Sequence, residues 1–150
     1  MLTTSTKYAI RAMVYIQLQI WNDMRPGVTE IAREIEAPTA FTAKILHSLT
    51  SRNLLKSMKG RGGGFFFDDD HSDVTLYQII MIMEGDKLFT QCGFGLKNCN
   101  DVNPCPLHER HVALRAELLD MAHSETIGSL AQKISQGNAV LNRVVSGDLN

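Results

Sequence analysis

No stretch of this chain is apolar for long enough to cross a bilayer; charged or polar side chains interrupt it every few positions. It opens Met-Leu-Thr-Thr-Ser-Thr-Lys, without the basic, apolar and small-residue succession of a secretory leader. A soluble, cytoplasmic protein with no membrane association is the expectation. Cysteine is scarce, with three residues crowded between Cys92 and Cys105, an odd number that argues against a disulfide framework and for metal or redox chemistry. Paired carboxylates, a nucleophile elbow and a cofactor fingerprint are all missing, so no enzyme is expected. The glycine-rich run Gly60-Arg61-Gly62-Gly63-Gly64 lacks the Gly-Lys-Ser/Thr ending of a nucleotide-binding loop and falls between strand-like segments, not between a strand and a helix.

What is present is enough for one compact domain with an appended segment: 150 residues, 44% of them hydrophobic. The net charge of -1 conceals an asymmetry. Residues 1–62 carry nine Lys/Arg against four Asp/Glu, and residues 63–150 carry six against twelve, so a basic partner surface would be N-terminal.

Ala9, Met13, Ile16 and Ile20 recur at helical spacing and predict a first helix over 6–21 with one buried stripe. Pro26-Gly27 ends it. Thr29 is the expected cap of a short helix over 30–36, and Pro38 opens a third helix whose core face is Phe41, Ile45, Leu46 and Leu49. Asn53 suits the left-handed close of that helix. The segments 54–58 and 65–67 read as a β-hairpin with Lys59 and Arg61 at its tip. Thr75 and Gln78 match a capping box ahead of Leu76, Ile79, Ile80 and Met83. Asp68-Asp69-Asp70-His71 reads as a solvated turn.

From Gly85 to Pro104 no period is visible, and a functional loop is expected. Beyond it, Leu107, Leu114, Leu118 and Met121 stripe a long helix with little left to cover it. This helix is expected to pair with its copy in a homodimer, or else to pack back on the first helix. The fold class is therefore mainly α with a small β-hairpin: a winged helix-turn-helix plus a long C-terminal dimerisation helix. The divisions are 1–84 (winged helix-turn-helix DNA-binding domain), 85–105 (cysteine-containing cluster-binding loop), 106–135 (dimerisation helix region) and 136–150 (weakly ordered tail).

Three helices and a hairpin place the third helix in the DNA major groove and the wing on backbone or minor groove. The candidate contacts on the third helix are Thr39, Ala40, Thr42, Ala43, Lys44 and His47. Lys59 and Arg61 would contact DNA from the wing, and Thr4, Ser5 and Lys7 from the start of the first helix. The same core also occurs in protein-interaction modules. Cys92, Cys99, Cys105 and His108 offer three thiolates and an imidazole, a set that suits a 2Fe-2S cluster and also zinc, while unmetallated redox thiols are a third reading. His111 and His123 read as polar-face or interface residues of the long helix.

These residues resemble the Rrf-type (BadM/Rrf) winged helix-turn-helix regulators, which include the iron-sulfur cluster assembly regulator and the nitric-oxide-sensing repressor. The resemblance runs from Leu2 to about Ile134. It is carried by Thr6-Lys7-Tyr8-Ala9, Glu30-Ile31-Ala32, the helix from Phe41 to Leu49, the wing Ser57-Met58-Lys59-Gly60-Arg61-Gly62-Gly63-Gly64-Phe65, and the cysteine trio. It implies a dimer on an inverted-repeat operator in double-stranded DNA, with affinity controlled by cluster state. Cys92, Cys99, Cys105 and His108 resemble the ligands of the cluster assembly regulator, with the first spacing one residue longer. The nitric-oxide sensors are similar in their cysteines but complete a 4Fe-4S site with an acidic residue of the partner's first helix. This chain has Lys7 there, so 2Fe-2S is the expected cluster.

Overall fold

The computed structural model describes residues 1–67 and 73–143. The Asp68-Asp69-Asp70-His71 turn and the end of the tail lie outside the described residues. The element order is α1 (Thr4–Ile20), α2 (Val28–Glu34), α3 (Thr39–Ser51), β1 (Lys56–Met58), β2 (Gly64–Phe66), α4 (Leu76–Met83), α5 (Lys87–Thr90), α6 (His108–Ser124) and α7 (Ile127–Ser135). The mainly helical winged-helix class stands. Its chief departure from expectation is at the C-terminal end.

Helix α1 is the centre of the molecule. Ala9, Ala12, Met13 and Ile16 are fully buried, and so nearly are Val14, Tyr15 and Gln17, because neighbours cover more than one stripe of the helix. α2, α3, α4, β2 and α7 all touch it. The α2–α3 pair follows the sequence closely, with two corrections. α2 starts two residues early, at Val28 after Gly27, so Thr29 lies inside the helix and is not its cap. Pro38 is the residue before α3 and not its first residue, with the extended backbone that a cap needs. Asn53 takes φ 61° as its residue type suggests, turning the chain into buried Leu54 and Leu55 and then the wing.

The capping box at Thr75 forms as predicted. Its hydroxyl accepts from Gln78 N at 3.2 Å and the Gln78 side chain accepts from Thr75 N at 2.9 Å, so α4 starts with two donors satisfied. Where α4 ends, Glu84 turns its carboxylate onto the opening of α1, accepting from Thr3 N and Thr3 Oγ1 at 3.0 Å each and from the Thr6 hydroxyl. A carboxylate at a helix N-terminus is favoured by the unpaired N–H groups there.

The region 106–135 contains the long helix, α6, and then a second one. Glu125 is extended, and Thr126 begins α7 with a second capping box completed by Ser129. The break lets Ile127 and Ala131 reach the main core and pack on α1. α6 itself buries only Ala122 fully, while Leu107, Leu114 and Met121 stay exposed. α7 is thus the part that packs back on α1, while α6 leans on α4 and α5 and leaves those three apolar side chains at the surface. The supposed loop after Gly85 also contains the short α5. The first part of the tail is held, because Arg11 Nε donates to the Leu141 carbonyl and Asn142 to the Glu34 carbonyl.

Candidate DNA interface and cysteine centre

Helix α3 faces solvent with Thr39, Ala40, Ala43, Lys44 and His47, a continuous strip of small, hydrogen-bonding and cationic side chains. Thr42 does not belong to it. It is fully buried, and its hydroxyl donates to the Pro38 carbonyl at 2.9 Å. A threonine that satisfies its own hydroxyl one turn back can serve as core, which removes Thr42 from the groove-facing set. The Phe41 ring meets Tyr8 edge-on at 5.8 Å, bringing the first turn of α1, with Thr4, Ser5 and Lys7, alongside the first turn of α3.

The wing is an antiparallel pair in the register Lys56↔Phe66, Ser57↔Phe65, Met58↔Gly64. Lys59 and Arg61 are exposed at its tip, between Gly60 (φ 91°) and Gly62 (φ 77°), backbone conformations that side chains resist. Gly64 (φ 142°) is required more stringently, since a Cβ there would press into the carbonyls of Arg25 and Pro26.

In the cysteine centre the three sulfurs lie within 4.8 Å of one another, the one such group of potential ligands among the described residues. The donors fall into pairs. Cys92 and Cys105 are 3.6 Å apart, and Cys99 Sγ is 3.1 Å from His108 Nδ1. Asn100 closes the loop between them, its side chain accepting from Val102 N and Asn103 N at 2.9 Å. His108 Nε2 sits 2.9 Å from Asp101 Oδ1. A ring that donates Nε2–H to a carboxylate keeps the Nδ1 lone pair for a ligand, and here Nδ1 points at the sulfurs. The residues thus fit a thiophilic metal or cluster by the chemistry of the donor set.

Burial opposes ionisation of Cys92, but the Leu96 and Phe94 backbone N–H groups, with the Cys105 and Cys99 thiols, outweigh it and bring its pKa down to about 6. Cys99 moves the other way. The Cys105 N–H favours its thiolate, yet desolvation and the adjoining Cys105 and Cys92 sulfurs push it up.

One face of α6 holds the loop. His108 meets Cys99, the His111 ring packs so closely on Gly93 that no Cβ fits there, and Arg115 donates to the Gln91 carbonyl at 2.6 Å. Sequence reasoning missed Arg115, Glu84 and Asp101; only the spacing 108, 111, 115 on one helical face hinted at the first. His123 stacks on Tyr77 at 4.1 Å, away from the sulfurs.

A helix-turn-helix followed by a tied hairpin defines the class as winged helix-turn-helix proteins. Within that class the chain belongs to the Rrf2 family of iron-dependent transcriptional regulators, whose pattern matches residues 2–133. A putative HTH-type transcriptional regulator of Aquifex aeolicus is 29% identical over 128 residues, covering 84% of this chain and 88% of that protein. Two solved structures share the fold. CymR (YrzC), the global cysteine regulator of B. subtilis, superposes with TM-score 0.72 at 18% identity, over 88% of this chain and 96% of CymR. T. potens IscR gives 0.71 at 17%, over 93% and 92%. No helix among the described residues is long and apolar enough to cross a membrane.

Proposed function

We propose that this protein is a cytoplasmic, homodimeric DNA-binding regulator whose affinity for an inverted-repeat operator is set by an iron-sulfur cluster on Cys92, Cys99, Cys105 and His108. The observation that carries the reading is the pairing of the donors, Cys92 with Cys105 and Cys99 with His108. Two pairs suit a 2Fe-2S cluster, where each iron takes two protein ligands. When bound, the cluster supplies a redox-active iron centre open to oxidants, nitric oxide or iron shortage.

The protein's own residues convert that state into DNA affinity. His108, His111 and Arg115 tie the loop to α6, so ordering the loop fixes the helix. Beside α6 runs an apolar groove of about 790 Å³, lined by Leu76, Ile80 and Leu88 together with Leu114, Leu118 and Met121 of α6 itself. In the proposed dimer a second copy's α6 would cover this surface, and the crossing of the two helices would set the spacing of the two reading heads. At each head Thr39, Ala40, Ala43, Lys44 and His47 face base edges and phosphates. Lys59 and Arg61 follow the wing, and Thr4, Ser5 and Lys7 reach backbone from α1.

Zinc is the second reading, favoured by the closeness of all three sulfurs, within 4.8 Å. A tetrahedral ion with bonds of about 2.3 Å spaces its sulfurs by about 3.8 Å. Anaerobic purification with iron and sulfide analysis and a visible spectrum separates the two. About two irons and two sulfides per chain, lost in Cys99→Ala, support the cluster; colourless protein carrying zinc overturns it.

A further inference from the structure

The α1–α2 connection is bound to the wing at Arg25 and Pro26. Phe65 N donates to the Pro26 carbonyl at 2.8 Å, and the missing Cβ of Gly64 admits the Arg25 and Pro26 carbonyls. In the hairpin register Lys56, Met58 and Phe66 share one face, and Ser57 and Phe65 the other. Phe65 packs on the core, so the face with Phe66 is the outer one.

Arg25 lies across that outer face. Its guanidinium carbon is 4.1 Å from the Phe66 ring centroid, and Nη1 is 3.4 Å from Met58 Sδ. The residue is exposed, and its only polar side-chain contact among the described residues is this weak thioether acceptor. A guanidinium seated over a ring, with one nitrogen on a thioether, keeps most of its N–H donors free. It is a fork that matches a phosphate, and no carboxylate among the described residues satisfies it.

We propose that Arg25 is a DNA-phosphate contact of the wing, oriented by Phe66 and Met58 and acting beside Lys59 and Arg61. The inference rests on the DNA-binding reading above and extends the contact surface from the wing tip to the α1–α2 connection.

The test is the salt dependence of binding to a mixed-sequence DNA duplex by the full chain, for wild type, Arg25→Gln and Arg25→Lys, each checked for an unchanged melting temperature. Losing one phosphate contact lowers the slope of log Kd against log salt by about 0.9. Between about 50 and about 200 mM salt this makes the affinity loss of Arg25→Gln about 3.5-fold smaller than that of wild type. Arg25→Lys, which keeps the charge without the fork, is expected to keep the slope and bind more weakly. An Arg25→Gln slope equal to wild type, with or without weaker binding, makes Arg25 a brace of the wing only and overturns the proposal. Wild-type protein with no salt-dependent binding overturns the regulator reading itself, and this inference with it.

Discussion

Asp101→Asn isolates the role assigned to the second nitrogen of His108. The Asp101 carboxylate is almost wholly exposed, at 99%, whereas His108 is 14% exposed, and their contact is 2.9 Å. Removing the charge leaves an isosteric amide that can still accept a hydrogen bond, so the ring stays in place while its Nδ1 becomes a weaker donor. Loss of such an outer carboxylate typically costs about 10- to 100-fold in metal affinity. Exposure screens this one, which puts the expectation near the lower end, about 10-fold. The assay is titration of reduced apoprotein with cobalt(II), following the absorbance of the tetrahedral thiolate complex, for wild type, Asp101→Asn and His108→Ala. The expected order of affinity is wild type, then Asp101→Asn, then His108→Ala. Wild-type affinity in His108→Ala would remove the imidazole from the ligand set. Wild-type affinity in Asp101→Asn alone would show that the carboxylate does not tune the ring.

Three further outcomes follow from the same contacts. In the apoprotein Cys92, with its pKa lowered to about 6, should be the first thiol alkylated by iodoacetamide, its rate rising through about pH 6 and levelling above; mass mapping that finds Cys99 first would contradict the assignment. Although burial raises it, the Glu84 pKa is lowered on balance by the Thr6 and Thr3 donors, so its stabilisation is present above the ordinary carboxylate pKa and fades as pH falls through the lower folded value. Glu84→Gln should then lower the unfolding free energy in urea at pH 7 by less than about 1 kcal/mol, because the group is only half-buried and water screens it, and the difference should vanish in acid; a difference that grows in acid would reverse the sign. Ile127→Ala, at a fully buried side chain, should cost about 2 to 5 kcal/mol by loosening α7 from α1, and a loss below about 1 kcal/mol in urea unfolding would mean that α7 is not part of the cooperative unit.

Much of the fold was legible because its signals are local. The Thr75–Gln78 capping box, the left-handed Asn53 and the glycine-bounded wing each depend on a few adjacent residues, and each forms. The cysteine trio was visible by residue type, and the structure brings its sulfurs together. What escaped depends on contacts distant in sequence or on a polar residue used as core. Thr42 reads as a hydrogen-bonding surface residue until its hydroxyl is seen bonded to Pro38. The break at Glu125 carried a signal, Thr126 followed by Ser129, of the kind that marked α4, but the apolar stripe running towards it disguised the change of direction. Glu84 on the start of α1 and Arg115 on Gln91 join residues 81 and 24 positions apart, which no local pattern announces.

The central claim is that cluster state sets DNA affinity. The direct measurement is one comparison: the Kd of anaerobically purified protein for a duplex selected by that protein, before and after its iron is removed by chelation, at fixed salt. The account predicts a clear change in affinity that Cys99→Ala, unable to hold the cluster, shows from the start. Equal affinity in both states across every selected duplex would contradict it.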